Sequence, residues 1–203
     1  MFYSFAKFVM TLYLSIAFGF KVTGKENVPA TGPVIIVANH ASNLDPIALG
    51  CACDRRIRFM AKAELFENPI SAAVLRWLYA FPVRRGRVDR EAYRQSMDIL
   101  KAGGALGMFP EGTRSETGEL QKAYPGAARF AIQTGTPVLP AAVVGTFAGH
   151  RKGLKRFKEP MVRVVFGELI WPKVDRAGAT VREETDALAE EIMKRIGELI
   201  MIA

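Results

Sequence analysis

Apolar and polar positions along the chain change period several times, and each change marks an element. From Met1 to Phe20 nearly every residue is apolar, and the polar exceptions Ser4, Lys7, Thr11 and Ser15 are spaced by three, four and four. At about 100° per residue those positions fall on one stripe, which predicts an amphipathic helix. Short β-branched runs then recur at Val34–Ala38, Ile57–Ala61, Ala80–Val83, Ala105–Phe109, Val138–Val144 and Val162–Phe166. Their length and composition predict strands. Helical segments alternate with them: Asp45–Ala52, Pro69–Tyr79, a helix capped by Asp89 and running to Ala102, and Gly126–Gln133. In the third of these, Tyr93, Met97 and Leu100 share one face, and Gly103-Gly104 stops it. The last helix opens with a Thr180-x-x-Glu183 capping box and carries Val181, Leu188, Ile192, Ile196 and Leu199 on one stripe. Strands alternating with helices predict an α/β domain, with a mixed, largely parallel sheet flanked by helices. No repeat, low-complexity tract or linker divides the 203 residues. One domain from residue 21 to 203, preceded by a helix over residues 1–20, is the expected organisation.

That first helix spans about 30 Å, the thickness of a hydrocarbon core. Lys7 sits inside it, and a charge in hydrocarbon is expensive. A helix lying in a membrane interface, polar stripe toward water or protein, fits the pattern. A signal peptide and a buried structural helix are the two rivals; the region before Lys7 is not basic, and no small-x-small cleavage site follows. Composition supports the interfacial reading. Half the residues are apolar and the formal charge is +8, which suits an anionic membrane surface or an anionic substrate. Nucleic acid ranks below these, because no nucleic-acid-binding signature is present. Cys51 and Cys53, the two cysteines, form neither a disulfide framework nor a zinc ligand set. They are expected to pack as small hydrophobes in a reduced, cytosol-facing protein.

Candidate chemistry gathers after the first long apolar strand, in Asn39-His40-Ala41-Ser42-Asn43-Leu44-Asp45. His40 is one of two histidines, and histidine suits proton transfer near neutral pH. The same residues also fit a strand end followed by an Asp45 N-cap and Pro46 at the first helical position. Two further loops follow predicted strands: the basic run Arg84-Arg85-Gly86-Arg87, and Glu111-Gly112-Thr113-Arg114. Ligands of open α/β sheets bind outside the carboxyl ends of strands. Parallel strands would therefore bring a base, carboxylates and guanidinium groups to one cleft, suited to a phosphate-bearing substrate. A local ion pair is the plainer reading of Glu111 and Arg114, and a solvated basic face that of Arg84–Arg90 and of Arg151–Lys158, which holds five basic residues in eight. Gly19–Lys25 nearly spells a phosphate-binding loop, but Glu26 stands where Ser or Thr is needed, and its interior reads as a strand. No Gly-x-Ser-x-Gly elbow is present, and His150 lies in a Gly-His-Arg-Lys loop expected at the surface. What remains is a base that activates a substrate hydroxyl directly.

Asn39-His40-x-Ser42-x-x-Asp45, followed about 65 residues later by Phe109-Pro110-Glu111-Gly112-Thr113-Arg114-Ser115, resembles the glycerolipid acyltransferase family, most nearly its 1-acylglycerol-3-phosphate acyltransferase type. Phe81-Pro82-Val83-Arg84-Arg85-Gly86 and Val138-Leu139-Pro140 resemble two further family blocks more loosely, and the likeness runs from about Gly24 to Gly167. The resemblance implies acyl transfer from an acyl-CoA or acyl-carrier-protein thioester to a lysophospholipid hydroxyl. It implies His40 as general base and Asp45 as its orienting carboxylate, with Arg85, Glu111, Gly112, Thr113 and Arg114 binding the glycerol phosphate. It implies membrane lipids and a lysophospholipid acceptor as partners, an acyl carrier protein where that is the donor, and work on the cytoplasmic face of a membrane. No metal, nucleic acid or cofactor is expected beyond the thioester co-substrate. Arg84 stands where many relatives carry an acid, and Lys122 lies four residues before Gly126, farther than usual. Both departures bear on the acceptor headgroup and leave a lyso-ornithine lipid or another lysolipid as alternatives. A non-catalytic peripheral lipid- or nucleic-acid-binding protein and an esterase or thioesterase are the rivals from other classes.

Overall fold

The computed structural model describes residues 2–84, 86, 89–147, 161–173 and 180–203, apart from the side chains of Phe2 and Trp77. Arg85, His150 and the run Arg151–Lys158 lie outside them. Among the described residues one sheet has the order β1-β7-β6-β2-β5-β3-β4. Its strands are β1 (Lys21–Thr23), β2 (Val34–Ala38), β3 (Ile57–Lys62), β4 (Phe81–Val83), β5 (Ala105–Met108), β6 (Val138–Val144) and β7 (Arg163–Phe166). Every neighbouring pair is parallel except β6–β7. The mixed, largely parallel sheet expected from the sequence is therefore present.

All five residues of β2 are buried, because each of its faces is covered by helices, as parallel strands require. Val34, Ile36 and Ala38 face one core with Leu14 and Phe18 of α1 (Phe2–Phe18) and Ala48, Leu49 and Ala52 of α2 (Asp45–Ala52). Ile35 and Val37 face the other, with α4 (Arg90–Lys101), α5 (Gly126–Thr134) and α6 (Val181–Ile202). A further helix, α3 (Pro69–Trp77), links β3 to β4.

Local details follow the predicted capping. Asp89 accepts the N–H groups of Glu91 and Ala92 at the start of α4, and the Thr180–Glu183 capping box forms at the start of α6. One face assignment needs correction. Val181 is 63% exposed, since it opens α6 before the helix reaches the sheet; the buried stripe runs from Thr185 through Leu188, Ile192, Ile196 and Leu199. In α4 the buried face is Ala92, Ser96, Ile99 and Leu100. The small residues let the helix approach closely, while Tyr93 sits at the rim, stacked on Phe130. Lys21–Thr23 is a strand paired with β7, so the segment resembling a phosphate loop is part of the sheet.

The polar stripe of α1 divides. Lys7 Nζ donates to the Cys53 carbonyl and lies 3.7 Å from Asp54, closing the carboxyl end of α2 where a cation suits the helix dipole. Ser4 and Ser15 are exposed. Outward from α1 point Phe5, Phe8, Val9, Leu12 and Ile16, with Phe5, Phe8 and Ile16 each about two-thirds exposed or more. No helix among the described residues is long and apolar enough to cross a membrane. Both cysteines are free, and burial pushes their thiols up.

Candidate active site

β2, β5 and β6 run parallel, so the loops that follow them leave the same edge of the sheet. The β2 loop is bound to its neighbours on both sides. On one side the Asn39 side chain continues the strand ladder: its Nδ2 donates to the Val143 carbonyl at 2.9 Å, and its Oδ1 accepts the Val143 N–H at 2.8 Å. On the other, the His40 N–H donates to Glu111 Oε1 at 2.7 Å, and the His40 carbonyl accepts the Ser115 N–H at 2.7 Å. His40 is therefore held by its backbone before its ring does anything.

The ring is held as well. Nδ1 lies 2.9 Å from Asp45 Oδ2, and the imidazole stacks on Phe109 with centroids 4.2 Å apart. Phe109 stacks in turn on Phe59. A carboxylate accepts only, so Nδ1 carries the proton and Nε2 keeps its lone pair. Asp45 is fully buried and has further donors: the N–H groups of Ala41 and Ser42 at 2.7 Å on Oδ2, and the Thr146 hydroxyl at 2.5 Å on Oδ1. An ionised carboxylate is tolerable inside a protein when its lone pairs are met in this way.

Asp45 is not the N-cap of α2. Leu44 takes that position without a side-chain cap bond, and Asp45 and Pro46 open the helix. The carboxylate turns back to the loop, where backbone N–H groups, an imidazole and a hydroxyl converge. Its charge still lies at the positive end of α2.

Glu111 is buried, and both of its oxygens are engaged by backbone: Oε1 by His40 N–H and Oε2 by Gln121 N–H at 3.0 Å. Burial pushes its carboxyl above the ordinary value, against the opposing pull of those donors. Through these two bonds Glu111 braces the β2 loop against the segment at Gln121. Gly112 follows in the left-handed region at φ 69°, and a Cβ there would lie 2.9 Å from the Tyr124 ring. Thr113 and Arg114 are exposed, and with Ala41, Ser42, Ser115, Glu116 and neighbours they line a cavity of about 330 Å³. Thus His40, Asp45, Glu111, Gly112, Thr113 and Arg114 come together at one edge. Arg85 lies outside the described residues.

Thr146 escaped the sequence reading. The signal was available: it is a polar residue just past the apolar β6 and Gly145, at the same sheet edge as the other three loops.

Comparison with known proteins gives a consistent result. Residues 19–144, more than half of the chain, match the family model described as Acyltransferase. The chain is 33% identical over 199 residues to a 1-acyl-sn-glycerol-3-phosphate acyltransferase of Bacillus subtilis, covering 97% of this chain and 96% of that one. It is 32% identical over 149 residues to a chloroplastic 1-acyl-sn-glycerol-3-phosphate acyltransferase of Arabidopsis thaliana, covering 70% and 42%. The crystal structure of the 1-acyl-sn-glycerophosphate acyltransferase PlsC of Thermotoga maritima matches with a TM-score of 0.70 and 30% identity, covering 97% of this chain and 77% of that one. Motif, fold and relatives agree: the chain belongs to the acyltransferase family.

Proposed function

We propose that the protein transfers a fatty acyl group from a thioester to the free hydroxyl of 1-acylglycerol-3-phosphate, giving phosphatidic acid for phospholipid synthesis. One observation carries the chemistry: an imidazole whose Nδ1 is bound to a buried carboxylate 2.9 Å away, on a loop whose next residues, Ala41 and Ser42, line a cavity with Thr113 and Arg114. Nε2 takes the proton of the acceptor hydroxyl as its oxygen attacks the thioester carbonyl. The C–O bond forms, the tetrahedral intermediate collapses with loss of thiolate, and the imidazolium returns the proton to the leaving sulfur. Asp45 stabilises the imidazolium and fixes the tautomer. A placed base contributes about 10²–10⁴-fold. Arg114 and Thr113, with Arg85 and the Gly112 backbone, are the groups to hold the glycerol phosphate, positioning the hydroxyl. Glu111 serves by bracing His40. The donor is acyl-CoA or acyl carrier protein, and the protein needs no cofactor of its own.

The apolar outer face of α1 supports membrane association, since exposed apolar patches of this kind mark interaction surfaces. Arg56 and Arg58 lie over the Tyr79 ring, and Arg56 also over Tyr3, supplying cations for anionic lipid at the start of the helix. We place this surface on the cytoplasmic leaflet.

The test is purified His40→Ala with acyl-CoA, acyl-carrier-protein and a panel of lysolipids. We expect transfer to lysophosphatidate to fall at least about 10²-fold. Near wild-type transfer sinks the base assignment. Faster turnover of a lyso-ornithine lipid by the unaltered protein reassigns the acceptor, and equal release of free acid without any acceptor makes it a thioesterase.

A further inference from the structure

We infer that Thr146 is a positioning residue for the proton-transfer pair, acting through Asp45; this rests on the reading of His40 as base. The two carboxylate oxygens of Asp45 are served unequally. Oδ2 takes His40 Nδ1 and the N–H groups of Ala41 and Ser42, all from its own loop. Oδ1 takes the Thr146 hydroxyl, from 101 residues away in sequence. An ionised carboxylate has no proton to give, so the hydroxyl donates.

The chain around Thr146 is built to make that contact. Gly145 turns sharply after β6 with φ 90°, a conformation in which a Cβ would collide with the Met161 carbonyl. Thr146 is 1% exposed. Three residues upstream, the Val143 backbone is joined to the Asn39 side chain by the paired hydrogen bonds. The end of β6 therefore grips the β2 loop twice, once beside His40 and once at its carboxylate partner.

The physical consequence has two parts. Rotation about Cβ–Cγ swings both oxygens together, so the bond on Oδ1 adds a hold from a second, distant segment to the three on Oδ2 and helps keep Oδ2 in line with Nδ1. The hydroxyl also draws charge from the carboxylate and so tempers its hold on the imidazolium proton. Among the described residues, Glu111 on the β5 loop is a titratable group that interacts with the pair. Arg114 and Glu116 line the cavity beside the loop.

Thr146→Val keeps the shape and removes the donor; Thr146→Ser keeps the donor. In the full chain we expect T146V to lower kcat on the order of 10–100-fold, with KM for lysophosphatidate changed less than about twofold. The acid limb of its pH–rate profile should move to higher pH, and T146S should recover most of the rate and the limb. Wild-type kcat and limb in T146V overturn the inference, and so does a T146S that falls as far as T146V, which would mean packing alone. If T146V does not fold by circular dichroism, Thr146→Cys, similar in volume and a weak donor, takes its place with the same two readouts. His40→Ala separates the layers. Activity surviving in H40A removes the base reading itself, whereas an inactive H40A beside a normal T146V removes only the role of Thr146.

Discussion

At the carboxyl edge of the sheet, charged and polar groups are buried, and each carboxylate oxygen of Asp45 and Glu111 meets a donor within the chain. On the outer face of α1 the situation is reversed: Phe5, Phe8, Leu12 and Ile16 point away from the protein while Lys7 points in. α6, on the far side of the same sheet, turns Glu190, Glu191, Lys194 and Glu198 outward, as a helix facing water does. A buried polar group must find its partners inside the molecule. An outward apolar face finds its partner outside. The edge is thus satisfied within the chain, whereas the α1 face leaves its apolar side chains exposed, as the proposed membrane contact requires. Chemistry and membrane binding should be separable by mutation.

The largest effect should come from Asp45→Asn. The amide can accept on one side only, and turned to satisfy the Ala41 and Ser42 N–H groups or the Thr146 hydroxyl, it presents an NH₂ somewhere a carboxylate oxygen stood. With its oxygen on the Ala41 and Ser42 N–H groups the amide still faces Nδ1 but has lost the charge that stabilises the imidazolium; with its NH₂ there, the imidazole takes the opposite tautomer and Nε2 can no longer accept the hydroxyl proton. We expect kcat to fall about 10³–10⁴-fold with liposome binding unchanged. A loss of both would mean that the two regions are not independent.

A double substitution on α1, Phe8→Glu with Ile16→Glu, breaks the comparison from the other side. Each apolar side chain contributes about 1.5–3 kcal/mol when fully buried in an apolar phase. Removing two should weaken partitioning to anionic vesicles by roughly 10² or more. Turnover of detergent-dispersed substrate should stay near wild type, because neither residue reaches the edge loops. Undiminished vesicle binding counts against α1 as the membrane surface.

Periodicity in the sequence was enough for the sheet, the helices and two of the caps, since each rests on local spacing: Asp89, the Thr180–Glu183 box, and the β-branched β2. The motif residues His40 and Asp45 were visible for the same reason, lying five apart on one loop. What remained hidden is non-local. That both oxygens of Glu111 bind backbone N–H groups, of His40 and of Gln121, is set by tertiary packing. Asp45 before Pro46 looked like a cap because a cap is the local option, and it lost to donors that include Thr146, from far along the chain. Val181 was placed on the buried stripe by its period, which carries no information on where the helix first meets the sheet.

The smallest effect expected is also the one that probes how the edge is held together. Burial raises the Glu111 carboxyl above its ordinary 4.5, the His40 and Gln121 N–H groups opposing this less strongly. A group that binds its proton more tightly when folded contributes stability that is fully present below the unfolded value, and that contribution is lost as pH rises through the raised one. Glu111→Gln does not titrate, and its NH₂ cannot accept, so one of the two N–H groups loses its partner at every pH. That should cost about 1–3 kcal/mol, and activity should fall about tenfold, far less than in D45N, because Glu111 acts on the His40 backbone and leaves its ring in contact with Asp45. The stability gap between the two proteins, followed by urea unfolding from about pH 4 to pH 7, should narrow as pH rises, since only the wild type carries the growing cost of an ionised buried carboxylate. A gap that widens instead would mean that the two N–H donors outweigh burial.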